Sequence, residues 1–104
     1  MTDQRVAVIT GSGRGIGKGI AERLAKDGYA VVIADLDPKT SQATAQELTD
    51  KGFKAVSVAG DVSKKEDHQK FVKRAVDAFG RLDTHINNAG IAQIKLLQDE
   101  TPED

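Results

Sequence analysis

The sequence predicts an α/β fold in which a doubly wound parallel sheet has helices on both faces. Short, continuous apolar runs rich in β-branched residues alternate with longer segments that have helical periodicity. Each connection between successive strands is long enough to contain a helix, which makes the strands parallel and the crossovers right-handed. We therefore expect the element order β-α-β-α-β-α-β and the strand order 3-2-1-4.

The four predicted strands are short. The first two, at residues 5–10 (RVAVIT) and 29–35 (YAVVIAD), are apolar without alternation, which is typical of strands covered on both faces. The third is predicted at 53–61 (FKAVSVAGD) and the fourth around 84–87.

The first predicted helix begins at Gly15 and ends at Gly28. Its apolar residues Ile16, Ile20 and Leu24 are four positions apart, which predicts that they share the face toward the sheet.

The second predicted helix begins after Asp37 and Pro38, an N-cap residue followed by proline at the first helical position, and runs to Gly52. Residues 63–66 (SKKE) fit a capping box that starts the third helix, which ends at Gly80. The predicted apolar face of this helix consists of Phe71, Val72, Ala75, Val76 and Phe79.

Composition and charge exclude several classes of function. A formal net charge of −1 gives no strong field toward nucleic acid or a membrane surface. The absence of cysteine removes disulfides, thiolate nucleophiles and cysteine-ligated zinc, and His68 and His85 have no metal-ligand spacing. The longest apolar run, residues 30–34, is too short to span a bilayer. We expect a cytoplasmic protein without nucleic-acid, membrane or metal partners.

A glycine-rich segment, TGSGRGIG at residues 10–17, connects the first strand to the first helix. Backbone N–H groups at a helix start bind phosphate well, and small residues let the ligand approach them. The Walker and G-x-G-x-x-G spacings both fail here, and T-G-x-x-x-G-x-G fits with Thr10, Gly11, Gly15 and Gly17. A tight turn without ligand is the alternative interpretation.

Asp35 ends the second strand, 18 residues after Gly17. A carboxylate at about this offset can accept hydrogen bonds from both hydroxyls of an adenosine ribose, and it repels a 2′-phosphate. Leu36 follows where a basic residue would favour NADP, so NAD is expected. Arg14, in the loop, is the one residue that could favour NADP, and Asp35 could alternatively only begin a turn.

Four motifs together resemble the N-terminal half of the short-chain dehydrogenases/reductases, over residues 5–104. They are T-G-x-x-x-G-x-G, the acid at 35, Asp61-Val62 and Asn87-Asn88-Ala89-Gly90. The resemblance implies a Rossmann-type fold and NAD (NADH) as cofactor. The cofactor-binding residues that it implies are Gly11, Ser12, Arg14, Gly15, Ile16, Gly17, Asp35, Leu36, Asp61, Val62, Asn88, Ala89 and Gly90.

The resemblance implies that the loop glycines line the pyrophosphate and that the backbone of Ile16 faces the cofactor. Asp35 holds the adenosine ribose, Asp61 accepts from the adenine amino group, and Val62 packs beside the ring. The Asn-Asn-Ala-Gly segment lies near the ribose on the nicotinamide side and steadies the central sheet.

The segment NNAGIAQIKLLQDETPED resembles acetoin/diacetyl reductases and related 2,3-butanediol dehydrogenases more narrowly. This likeness implies a small ketone or secondary alcohol as substrate, with Gln93 either offering its amide to a diketone or facing solvent. The same half also resembles 3-ketoacyl-carrier-protein reductases and sugar dehydrogenases. Relatives are commonly tetramers, so the full-length parent is expected to be a homotetramer.

Two other functions stay open at this point. The chain could be a non-catalytic nucleotide-binding module, or a Rossmann-like methyltransferase, although the Asn-Asn-Ala-Gly segment disfavours the latter. The final residues TPED carry a helix start signal with no helix behind it. We expect residues 1–104 to be the N-terminal part of a single NAD-binding domain, cut before its catalytic half.

The family resemblance implies a catalytic Ser and a Tyr-x-x-x-Lys motif, and the chain contains neither in usable form. Its one tyrosine, Tyr29, is followed four residues later by Ile33. The purified 104-residue chain should therefore not oxidise NADH in the presence of diacetyl, because no positioned acid protonates the carbonyl oxygen. An absorbance assay at the nicotinamide band checks this, and clear turnover would contradict it.

Overall fold

The computed structural model describes residues 4–13 and 15–88, and contains one parallel sheet flanked by helices. The elements are β1 (Val6–Thr10), α1 (Gly15–Lys26), β2 (Ala30–Asp35), α2 (Pro38–Asp50), β3 (Ala55–Ala59), α3 (Lys65–Phe79) and β4 (Thr84–Asn87). The strand order is β3-β2-β1-β4, which confirms the predicted order 3-2-1-4 and the predicted fold class.

The strand register brings the carboxyl ends of all four strands to one edge of the sheet. Thr10 of β1 lies opposite Ala34 of β2 and Asn87 of β4, and Asp35 lies opposite Ala59 of β3. The residues that follow the strands therefore meet at this edge, where ligands bind in open α/β sheets.

The two central strands are buried at every position because helices cover both of their faces. Helices α1 and α2 pack on one face and α3 packs on the other. The buried apolar side chains on the α1/α2 face are Ala7, Ile9, Ala21, Val31, Ile33, Ala45 and Leu48. Those on the α3 face are Val6, Val8, Ala30, Val32, Ala34, Val58, Phe71 and Ala75.

The predicted inner face of α1 is wrong in one position. Ile16 is 59% exposed, and the buried residues of the helix are Gly17, Ala21 and Ala25. The small residues let the helix backbone approach the sheet closely, whereas Ile16 lies in the first helical turn outside this contact. Apolar spacing alone does not distinguish a row of large residues from an adjacent row of small ones.

The predicted capping box at the start of α3 is also wrong. The N-cap residue is Lys64, and its side chain makes no capping hydrogen bond. The Ser63 hydroxyl and N–H both donate to Oδ1 of Asp61, at 2.7 and 2.9 Å. The aspartate two residues upstream therefore forms a local turn that competes with the cap for the serine.

The third helix has a narrower buried face than predicted. Phe71 and Ala75 are fully buried, whereas Val72 is 40% exposed and Val76 is 46% exposed. The two valines border a hollow of about 600 Å³ between α3 and β4. None of the helices in residues 4–13 and 15–88 combines the length with the apolar character that a bilayer span requires.

Two glycines of α1 make a matched pair for testing the close packing of this helix. A Cβ at Gly17 would lie 2.1 Å from the Gly11 carbonyl oxygen, whereas a Cβ at Gly19 would meet no atom within 4 Å. We expect Gly17→Ala to lower the free energy of unfolding by about 3 kcal/mol through overpacking. Gly19→Ala should raise it by about 0.5–1 kcal/mol, because alanine is the better helix former.

Urea unfolding followed by circular dichroism measures both variants. Equal effects of the two substitutions would contradict the packing that the structure shows.

Candidate functional site

The glycine-rich loop needs small residues for two different reasons. Gly11 and Gly15 have φ angles of +64° and +63°, in the left-handed region that side chains disfavour. At Gly13 the constraint is space, because a Cβ there would lie 2.7 Å from Oδ2 of Asp35 and 2.6 Å from Cγ2 of Thr40. Gly17 is required by the packing described above. Backbone conformation or lack of space therefore explains why each of the four positions in the segment is glycine.

Ser12 belongs to the scaffold of the loop. Its side chain is fully buried, and its hydroxyl donates to the Ile9 carbonyl and accepts from the Ala34 N–H at 3.1 Å. The Ser12 N–H donates to the Ala34 carbonyl at 3.2 Å. The residue thus continues the pairing of β1 with β2 beyond the strand end, and its side-chain hydrogen bonds are made within the protein.

Asp35 is held in place by the backbone on both sides. Its Oδ2 accepts from the Gly13 N–H at 2.9 Å, and its Oδ1 accepts from the Asp37 N–H at 3.1 Å. The side chain is buried, with the residue 8% exposed. A carboxylate has about four acceptor positions, so each oxygen can still accept a further hydrogen bond.

The segment around Asp61 is fixed by a second carboxylate. Asp67, in the first turn of α3, accepts from the Asp61 N–H through Oδ2 at 2.7 Å. The hydroxyl and N–H of Ser63 occupy Asp61 Oδ1 and lower the pKa of that carboxyl below its usual value. Asp61 therefore remains an acceptor, with Oδ2 outside these bonds.

These segments surround a pocket of about 200 Å³ at the carboxyl ends of β1, β2 and β3. Its lining combines loop backbone, two carboxylates and two apolar side chains. The lining residues are Gly11, Asp35, Leu36, Gly60, Asp61 and Val62. The structure thus brings together five of the residues predicted from the sequence, and it places Gly15 and Ile16 in the exposed first turn of α1.

Asn88 follows β4 and contacts the glycine-rich loop on the side of β1 opposite to β2. Its Nδ2 lies 3.4 Å from the Gly11 carbonyl oxygen, and its Oδ1 is buried without a partner in the part of the chain that the structure describes. The Asn88 amide nitrogen therefore supports the loop, and its Oδ1 atom can still accept a hydrogen bond. The predicted contacts Arg14, Ala89, Gly90 and Gln93 lie outside the described residues.

Three residues of the site were not found from the sequence. Gly60 lines the pocket, and a Cβ there would lie 2.6 Å from the Phe71 ring. Its position directly before Asp61 was the available signal. Asp67 and Thr44 hold the Asp61 segment and the glycine loop, and nothing in the sequence distinguishes either from an ordinary polar residue of a helix.

The larger hollow between α3 and β4 has a different character. His68 and His85 lie in its wall with ring centroids 5.5 Å apart, and His68 Nε2 makes a 2.7 Å hydrogen bond with the Val62 carbonyl. Among the predicted cofactor-binding residues that the structure describes, none lines this hollow. Within residues 4–13 and 15–88 there is no group of three or more metal-ligating side chains.

Comparison with known proteins gives consistent matches. The family model described as "short chain dehydrogenase" matches residues 5–104. A diacetyl reductase [(S)-acetoin forming] of Staphylococcus epidermidis is 47% identical over 84% of this chain and 34% of its own length. An L-2,3-butanediol dehydrogenase of Corynebacterium glutamicum is 42% identical over 96% of the chain and 40% of its own length. The chain thus spans little more than a third of the length of these relatives.

A solved structure has the same fold. The crystal structure of a short chain dehydrogenase/reductase from Burkholderia phymatum, in complex with NAD, has a TM-score of 0.76 and 36% sequence identity. The match covers 80% of this chain and 30% of that one.

The pKa of Asp61 provides a test of the site's local geometry. The Ser63 hydroxyl is the largest cause of the lowered pKa, and the Ser63 N–H is the next. Ser63→Ala should therefore raise the pKa of Asp61 toward its usual value and leave it below that value, since the backbone bond remains. Ser41→Ala is the control, because the Ser41 hydroxyl donates to the Pro38 carbonyl. Carboxyl NMR titration measures both, and an unchanged Asp61 pKa in Ser63→Ala would refute the turn.

Proposed function

This chain belongs to the short-chain dehydrogenase family, and we propose that it forms the dinucleotide-binding part of an oxidoreductase that uses NAD(H). One observation carries the proposal. A pocket at the carboxyl ends of the strands combines bare loop backbone with the carboxylates of Asp35 and Asp61. Main-chain donors suit a diphosphate, and carboxylate acceptors suit ribose hydroxyls and an amino group.

We assign each part of an adenosine diphosphate to its own set of residues in the pocket. The free acceptor positions of Asp35 would take the ribose hydroxyls, while its bonds to the backbone keep it in place. Asp61 would accept from the adenine amino group, and Val62 and Leu36 would supply apolar contact to the base. Gly11, Gly15 and the start of α1 would face the pyrophosphate, where a glycine-rich turn leaves N–H groups accessible. Asn88, Ala89 and Gly90 are proposed to lie on the nicotinamide side.

The environment of Asp35 favours NAD over NADP. A 2′-phosphate would have to lie against a buried carboxylate, and like charges at that distance repel strongly. Leu36, the neighbouring residue on the pocket wall, is 72% exposed and offers no positive charge. Discrimination between NAD and NADP would come from the repulsion of the 2′-phosphate as much as from the hydrogen bonds to the ribose.

For the substrate we propose a small ketone and its secondary alcohol, of the diacetyl, acetoin and 2,3-butanediol type. The names of the Staphylococcus epidermidis and Corynebacterium glutamicum relatives support this class. The cofactor held by these residues would supply a hydride to the ketone carbon, with a proton added to the oxygen, or accept a hydride from the alcohol carbon as the hydroxyl proton is lost. The described residues would bind and orient the cofactor, and Gln93 is proposed to face the substrate.

Calorimetric titration with NADH and NADPH tests the cofactor assignment. The unaltered protein should bind NADH more tightly than NADPH. Asp35→Asn should weaken NADH binding by about tenfold or more, because a charge-assisted acceptor is lost. It should also bring the NADH/NADPH affinity ratio close to one, since the repulsion of the 2′-phosphate disappears.

Asp50→Asn removes the same charge at the far end of α2, where Asp50 accepts from Gln46, and should change neither affinity. The ratio separates recognition from folding, because partial unfolding lowers both affinities together. A preference for NADH that survives in Asp35→Asn, or an unaltered protein that binds no NADH, would contradict the assignment.

A further inference from the structure

We propose that Thr44 of α2 is a positioning residue that sets the direction of a peptide group in the glycine-rich loop, and so its affinity for the diphosphate. This inference rests on the proposed function, because it assumes that the loop receives a diphosphate. Thr44 does not line the pocket, and no motif of the sequence includes it.

Gly13 is held from two sides by elements other than its own. Its N–H donates to Asp35 at the end of β2, and its carbonyl accepts from the Thr44 hydroxyl at 2.5 Å. All three residues are buried, with Thr44 3% exposed. The methyl carbon of Thr40 occupies the space beside Gly13 where a side chain would be. The loop is therefore tied both to the strand that carries the ribose carboxylate and to the following helix.

The direction of the Gly13 carbonyl matters for an anion. The bond from the Thr44 hydroxyl holds the Gly13 carbonyl oxygen toward α2. Without the Thr44 hydroxyl, the carbonyl is buried and unpaired, and turning the peptide over relieves that cost. A turned peptide would direct the Gly13 carbonyl oxygen away from α2, and an oxygen exposed on the loop repels a diphosphate.

The Thr44 hydroxyl is the group that holds the Gly13 carbonyl in place. Valine and threonine are both β-branched and nearly equal in shape, so Thr44→Val keeps the shape of the side chain and removes its hydroxyl. Serine keeps the donor and loses a methyl group. The two variants therefore separate the hydrogen bond from the packing of the side chain.

The test compares two ligands that differ in the diphosphate, adenosine and ADP, by NMR titration of the protein. The unaltered protein should bind ADP more tightly than adenosine. Thr44→Val should weaken ADP binding by about tenfold and leave adenosine binding within about twofold, because the ribose and adenine contacts do not involve the loop carbonyl. Thr44→Ser should restore ADP binding.

Thr49→Val is the matched control. Thr49 lies on the same helix, and its hydroxyl donates to the Ala45 carbonyl at 2.9 Å within that helix. This variant should bind both ligands as the unaltered protein does. Should Thr44→Val fail to fold, Thr44→Ala is compared with Thr44→Ser in the same way.

The outcomes separate the inference from the function on which it rests. Normal ADP binding by Thr44→Val, or an equal loss for ADP and adenosine, would overturn the positioning role while leaving the proposed function intact. If the unaltered protein binds neither ligand, the proposed function fails, and the inference fails with it.

Discussion

The hydrogen bond from the Gly13 N–H to the Asp35 carboxylate is the interaction on which the site depends. It joins the loop after β1 to the last residue of β2 over 2.9 Å, inside the protein. The bond requires glycine at position 13, because a Cβ would lie within 2.7 Å of the same carboxylate. It also requires the register in which β1 and β2 end side by side. Gly13, Asp35 and the strand ends are thus joined before any ligand arrives, and such pre-organisation lowers the ordering cost of binding.

A second constraint acts behind this unit. Gly17 of α1 lies so close to the Gly11 carbonyl and to Asn88 that only glycine fits, and Ala21 and Ala25 continue the small face of the helix. The helix start is therefore pressed against the strand ends, and its free N–H groups lie near the loop that precedes them. Some of the glycines serve packing rather than direct contact with a ligand, which explains why Gly13 and Gly17 are buried while Gly15 is exposed.

The sequence predicted the sheet order because that order follows from simple patterns. Continuous apolar runs identified the buried strands. In the structure, the parallel strands end at one edge and so bring Asp35 and Asp61 to the same pocket. The errors arose where one pattern fits two arrangements. Ile16 matched the helical spacing but lies beyond the sheet contact, and Ser63 matched a capping box but bonds to Asp61. The hydrogen bond between Asp35 and the Gly13 N–H and the bond from Thr44 to the Gly13 carbonyl join different elements of the fold. Residue spacing along the chain does not encode such contacts.

A crystal structure of the protein with bound ADP-ribose tests the account most directly. We expect the two hydroxyls of the adenosine ribose within about 3.2 Å of the Asp35 oxygens. The Gly13 N–H bond should be retained, and the pyrophosphate should lie over the loop. A ligand that binds in the hollow between α3 and β4, or a ribose that displaces the Gly13 bond from Asp35, would contradict the central claim.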